Sequence, residues 1–180
     1  MTRILTQAEV RALLDMEACM GLMERVLRAL ARGEGLNPLR WGVRLPEGLG
    51  ILGMMPGMAA DPEALGLKVV TVFPHNHGGE WDAHQGVVVL FDTGNGVPAA
   101  ILDASEVTAI RTAAVSGVAT RALARDDARV LALLGSGVQA RTHLQAMALA
   151  RPLDEVRVYS PTPAHREAFA EREGARSGLP

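Results

Sequence analysis

The residues that most constrain this chain stand at positions 135–140. An apolar run, Arg129 to Leu134, leads straight into Gly135-Ser136-Gly137-Val138-Gln139-Ala140, and a helical pattern follows to about Ala150. Asp154 and Glu155 then open a second apolar run, Val156 to Ser160. Strand, glycine loop, helix and second strand stand in the order of a βαβ unit, with Ala in place of the last glycine of the dinucleotide fingerprint. The residue sizes carry the chemistry. Gly135 permits the tight turn, Gly137 lets backbone approach a pyrophosphate, and Ala140 packs helix on strand. The helix N-terminus offers the phosphates free N–H groups and a partial positive charge.

Cofactor contacts are therefore expected at Gly135, Ser136, Gly137, Val138, Gln139 and Ala140, and at Ser160, where the second strand ends. NAD-preferring domains place an acid there to hold the ribose 2′-OH. Ser160 brings no carboxylate to repel a 2′-phosphate. His165 and Arg166 follow, either as positive charge for that phosphate or as plain surface residues. The expected cofactor is NADP or NAD, with NADP weakly favoured. A full doubly wound domain has about six strands, whereas the residues after Arg129 provide two and the start of another helix, Pro163 to Glu173. Residues 126–180 thus read as an incomplete Rossmann domain, and the chain as a fragment of a longer protein.

The first 125 residues have a different character. Val10, Leu13, Leu14, Met20, Met23, Val26, Leu27 and Leu30 recur at helical steps, predicting one helix from Thr6 to Arg32. Thr6 and Glu9 have capping-box spacing, and Gly33 and Gly35 punctuate the end. Gly48, Gly50, Gly53 and Gly57 among short apolar stretches predict hairpins and turns. Leu67 to Pro74 and Gln85 to Asp92 read as strands, Asp92-Thr-Gly-Asn-Gly96 as a hairpin turn, and Val97 to Leu102 as the returning strand. A second helix, opened by Asp103 and Ser105 and reaching about Ala124, is rich in small residues, which predicts close packing on a sheet or a partner. The fold class expected is α+β for residues 1–125, followed by the first part of an α/β dinucleotide-binding domain.

Two cations stand in apolar settings. Lys68 shares a strand face with Val70 and Val72, so it either snorkels at a sheet edge or is buried against an anion. Arg111 stacks with Val107 and lies beside Ile110, Ala114 and Val115. An unpaired buried guanidinium is prohibitively costly, so it needs a carboxylate from Asp103 or Glu106, or one from a ligand. Arg40 and Arg44 flank Trp41 in a loop or edge strand, where solvated surface is the ordinary reading. His75, His77 and His84 do not read as a zinc site, because the segment is a glycine-rich turn without a supporting cysteine.

Composition excludes several classes. With 48% hydrophobic residues, 21% charged residues and a net charge of −2, the chain is not a disordered tail and has no clustered basic surface for nucleic acid. It shows no regular apolar span for a membrane and no apolar leader at its start. A single cysteine, Cys19, tells against a disulfide scaffold. A cytoplasmic protein is expected.

Taken together, Asn37-Pro-Leu-Arg40, Met55-Pro56, Gly66-Leu-Lys-Val-Val-Thr-Val-Phe-Pro74 with Asn76, His84-Gln-Gly86, Arg111-Thr-Ala-Ala114 and Leu134-Gly-Ser-Gly-Val-Gln-Ala140 resemble the ornithine cyclodeaminase/mu-crystallin family. The resemblance runs in order from about Thr6 to the end. It implies a homodimer whose α+β substrate and dimerisation domain occupies residues 1–125, joined to the dinucleotide domain. It also implies that Arg40, Lys68 and Arg111 hold a substrate carboxylate, with Lys68 in the catalytic set, and that Thr112 approaches the cofactor. The family's catalytic acid belongs to the later part of the dinucleotide domain, so no residue here takes that role.

The implied activity is hydride transfer between NAD(P) and a cyclic imino acid or its amino-acid counterpart, of the pyrroline-carboxylate or ketimine reductase type. The alternatives are an ornithine cyclodeaminase, releasing proline and ammonia, or a non-catalytic small-ligand-binding or truncated remnant. Cyclodeaminases resemble one another in a glutamate two residues before Met-Pro, where this chain has Gly53. That departure, with Ser160, favours the reductase. The 180 residues alone are expected to be inactive.

Overall fold

The computed structural model describes residues 1–76 and 79–179; of the three histidines above, His77 lies outside the described residues. The chain forms two compact units. The first takes Met1–Leu14 and Glu24–Thr108; the second takes Asp15–Met23 and Ala109–Pro180.

The first unit is built on a seven-stranded sheet. Its strands are β1 (Arg3–Leu5), β2 (Gly35–Leu36), β3 (Trp41–Arg44), β4 (Ile51–Ala60), β5 (Glu63–Val72), β6 (His84–Phe91) and β7 (Pro98–Asp103), in the order β1-β7-β6-β5-β4-β2 with β3 also on β4. Only β1, against β7, pairs in parallel; every other ladder is antiparallel. The β6–β7 hairpin turns as its residues dictate: Asp92 Oδ1 accepts from the N–H groups of Gly94 and Asn95, and Gly96 takes φ +76°.

Two expectations need correction. The glycine-studded stretch at 48–57 is only partly turn: Gly48, at φ +70°, and Gly50 lie at the β3–β4 hairpin turn as expected, but Gly53 and Gly57 lie within the ten-residue strand β4. Pro56 fits there because β3 covers residues 51–54 and β2 covers 58–59 on that edge of β4. The missing proline N–H falls in the gap. Nor is the first helix continuous: α1 (Gln7–Leu13) and α2 (Met16–Ala31) are separate. Asp15 separates the two helices, since its Oδ1 accepts from Ala18 N at 2.8 Å and starts α2 as a cap. The apolar period continues through the break, which is why the sequence reads as one helix. At α1 the capping box is present, and the Thr6 hydroxyl and backbone N–H hold the Glu9 carboxyl below its ordinary range.

The helix α3 (Ala104–Leu123) begins in the first unit and continues into the second. Asp103 Oδ1 accepts from Glu106 N at 2.8 Å, capping it. Its small residues serve packing between helices. A Cβ on Gly117 would stand 2.7 Å from Met20 Cε and 3.3 Å from Ala146 Cβ, so this turn of α3 admits close neighbours on both sides.

In the second unit, β8 (Val130–Leu134), α4 (Val138–Ala150) and β9 (Glu155–Tyr159) form a βαβ unit with parallel strands, followed by α5 (Pro163–Ser177). Leu133, Leu144 and Phe169 make its core, with Leu131, Ala140, Val156 and Val158 against them. Helices α3 and α4 cap each other's C-termini: Arg151 Nη2 donates to Ala124 O at 2.8 Å and Arg121 Nη2 to Leu149 O at 3.2 Å.

Cys19 is 2% exposed in this unit, and burial, with Asp15 adding and Arg111 opposing, pushes its thiol up from 9.0 to about 11. The native protein at pH 8 should therefore resist alkylation by iodoacetamide until denatured. The unfolded chain loses this proton first. Stability from this group is thus complete below the unfolded value and declines as pH rises towards 11. Rapid native labelling at pH 8, read by mass spectrometry, would contradict the burial.

Candidate functional site

In the first unit the cations are placed by register. Lys68 lies in β5, between β4 and β6, opposite Met55 and Val88. The sheet-edge alternative is therefore excluded. The side chain is half-buried, and Nζ donates to Thr108 Oγ1 at 3.2 Å. Met55, Lys68 and Val88 form one row across the sheet. Trp41 pairs with Met54, so the exposed Arg40, which immediately precedes β3, would continue that row if the β3 register ran one residue further. Two strand spacings, about 10 Å, would then separate the two cations.

The next row along the strands is Gly42, Gly53, Val70 and Gly86. It presents almost no side chains beside the cationic row. Packing does not demand glycine at all of these. A Cβ on Gly42 or Gly53 would meet only ordinary contacts, the nearest at 3.7 and 3.5 Å. A low surface flanked by an ammonium and a guanidinium suits a small organic anion.

Glu106, a carboxylate offered above for Arg111, is 4% exposed and is gripped by Arg11 at two points, Nε to Oε1 at 3.1 Å and Nη2 to Oε2 at 2.8 Å. Hydrogen bonding to Glu106 raises the Arg11 guanidinium above its usual range. Asp103 serves as the α3 cap. Arg111 is half-buried in α3, three residues beyond Thr108, and is followed by half-buried Thr112.

In the second unit the glycine loop connects β8 to α4. Gly135 takes φ +117°, which side chains rarely adopt, and its N–H donates to Tyr159 O at 2.7 Å, tying the loop to the end of β9. Gly137 is the N-cap of α4 at φ −89°, ψ −166°, and provides no capping side chain. A Cβ there would meet nothing within 4 Å. The first-turn N–H groups of Val138, Gln139 and Ala140 thus have no side-chain cap, beside open space that intramolecular packing does not require. That cradle fits a phosphate-bearing ligand. Ser160 is buried at the end of β9, where its carbonyl accepts from Arg166 Nη1 at 3.1 Å, while His165 is exposed on α5. The guanidinium is held at the strand end that faces the ribose in such folds.

Sequence reasoning missed three partners: Thr108 for Lys68, Arg11 for Glu106, and the pair Ser116 and His143 in the second unit, whose Oγ and Nε2 lie 3.1 Å apart. None has a spacing signature, because each joins residues brought together only by folding. Among the described residues no group of three or more His, Cys, Asp or Glu could hold a metal ion, and no helix is long and apolar enough to cross a membrane.

Known proteins are similar to this chain in sequence and fold. Delta(1)-pyrroline-2-carboxylate reductase of Bacillus cereus is 34% identical over 177 residues, which is 98% of this chain and 54% of that protein. Ketimine reductase mu-crystallin of Rattus norvegicus is 38% identical over 138 residues, 77% of this chain and 44% of that one. The structure of Thermococcus litoralis Delta(1)-pyrroline-2-carboxylate reductase in complex with NADH and L-proline matches with a TM-score of 0.94 at 32% identity, covering 99% of this chain and 55% of that one. The chain spans about half the length of the curated relatives it matches. The fold is an α+β N-terminal domain followed by part of a Rossmann domain, as in these relatives. The sequence model of one family matches residues 1–177, and with it the chain belongs to the ornithine cyclodeaminase/mu-crystallin family.

Proposed function

We propose that this chain is part of an NAD(P)-dependent oxidoreductase that reduces a cyclic imino acid, of the pyrroline-2-carboxylate or ketimine type, or oxidises the matching amino acid. The observation that carries the reading is the open glycine turn at 135–137, ahead of a helix without a side-chain cap. The similarity to imino-acid reductases supports the substrate class.

In this reading residues 1–125 bind substrate and join two copies into a homodimer, and residues 126–180 begin the dinucleotide domain. The protein works in the cytoplasm. The nicotinamide, when bound, supplies or accepts hydride at the substrate carbon. The chain's own residues orient that exchange. Arg40, Lys68 and Arg111 hold the carboxylate, and Lys68 Nζ also keeps a proton near the imino nitrogen. Gly135, Ser136, Gly137, Val138, Gln139 and Ala140 hold the pyrophosphate, Thr112 approaches the nicotinamide side, and Ser160 with Arg166 admits the ribose. The absence of an acid at Ser160 and the guanidinium at the strand end favour NADP over NAD.

The 180 residues alone should turn over negligibly. The test compares the chain with a chimera that continues it through the second half of the Thermococcus litoralis reductase. The chimera should oxidise NADPH when given pyrroline-2-carboxylate or piperideine-2-carboxylate, with the chain alone far slower. Ammonia release from ornithine without reduction of any imino acid would replace this reading with a cyclodeaminase. Equal rates for chain and chimera would refute the inactivity of the shorter form.

A further inference from the structure

His143, in the second turn of α4, is engaged at both ring nitrogens. Nδ1 lies 2.7 Å from the Gln139 carbonyl oxygen, and Nε2 lies 3.1 Å from Ser116 Oγ on α3. A carbonyl only accepts, so Nδ1 carries the hydrogen and, in the neutral ring, Nε2 accepts from the Ser116 hydroxyl. The single Ser116 hydroxyl hydrogen is shared with the Thr112 carbonyl oxygen, 3.3 Å from Oγ and one turn back on α3. Thr142, 2% exposed, directs its hydroxyl to the carbonyls of Val138 and Gln139, each at 3.2 Å.

These side-chain donors load the carbonyls of the first turn of α4, at the end where Gly137 leaves the N–H groups uncapped. A peptide whose oxygen accepts an additional hydrogen bond becomes a stronger donor at its nitrogen. The Val138 carbonyl shares its peptide with the N–H of Gln139, and the Gln139 carbonyl shares its own with the N–H of Ala140. The same imidazole links this turn to α3 next to Thr112.

We infer that His143, acting with Ser116, is a positioning residue for the dinucleotide. It fixes and polarises the phosphate-facing turn of α4 and locks that turn to the α3 segment carrying Thr112. This rests on the nucleotide reading above. Loop spacing does not reveal it, because Ser116 and His143 lie outside the glycine motif and on separate helices.

The test titrates NADPH into the 180-residue chain and follows nicotinamide fluorescence, with thermal unfolding alongside. His143→Ala should weaken NADPH about tenfold, a loss on the scale of one or two hydrogen bonds, with little change in melting temperature. His143→Asn should recover most of the affinity, because its amide nitrogen overlays Nδ1 and donates to Gln139. Ser116→Ala should cost less than His143→Ala. Nitrogen-15 spectra of the wild-type imidazole should show hydrogen on Nδ1. Unchanged NADPH affinity in His143→Ala, or an Asn variant as weak as Ala with both unfolding early, would overturn the inference while leaving the nucleotide reading intact. A wild-type chain that binds neither NADPH nor NADH would remove both.

Discussion

Gly137→Asp should abolish dinucleotide binding while leaving the protein as stable as before, or slightly more so. The position has extended backbone, φ −89° and ψ −166°, which an aspartate adopts freely, and a Cβ would meet nothing within 4 Å. It is also the N-cap of α4, where aspartate outranks glycine by a few tenths of a kcal/mol. The new carboxylate would accept from the first-turn N–H groups, the same donors proposed to hold the pyrophosphate, and would set like charge against it. Like-charge contact costs several kcal/mol, so affinity for NADPH should fall by at least about a hundredfold. Calorimetric titration and thermal unfolding on the same preparation separate the two effects. Gly135→Ala is the contrasting variant. Its φ of +117° is costly for any side chain, so stability should fall by about 1–3 kcal/mol along with binding. Wild-type affinity in Gly137→Asp would show that no phosphate sits over this turn.

Gly86→Ala should damage the first unit more than any other single methyl added to its sheet. The added Cβ would stand 2.2 Å from Val69 O and 2.9 Å from Val70 Cα, both backbone atoms of β5. That strand is held on one side by β4 and on the other by β6, so it cannot retreat without breaking a ladder. Overpacking without relief costs about 3 kcal/mol or more, which lowers the melting temperature by about 10 °C in a protein of this size. The strain falls one row from Lys68, so any small-anion binding should weaken as well. Gly42→Ala, whose Cβ would meet only Ile51 Cγ2 at 3.7 Å, should be tolerated. Melting of the Gly86 variant within a degree or so of wild type would mean that β5 and β6 are not in this close approach.

Local chemistry was legible in the residues themselves. The glycine turn at 135–137, the capping box at Thr6 and Glu9, the Asp103 cap and the Asp92–Gly96 hairpin each depend on neighbours within a few positions, so spacing alone reveals them. Where one period could serve two structures, the reading failed. The apolar stripe runs on through Leu14 and Asp15, and only the Asp15 cap separates α1 from α2. Glycines that look like turns in β4 became strand because the pairing of β3, β2 and β5 settles their backbone, and no short window contains those partners.

From sequence alone came the class of fold, the nucleotide-type turn and the identity of the cations worth watching, all consequences of side-chain size, periodicity and backbone freedom over short spans. Tertiary structure decided which cation meets which partner. Lys68 donates to Thr108 from the middle of the sheet, Glu106 is gripped by Arg11, and His143 reaches Ser116. Each of these joins distant positions through strand register or helix packing, and a hydrogen bond between distant residues leaves no trace in the chain until folding brings its two ends within 3 Å or so.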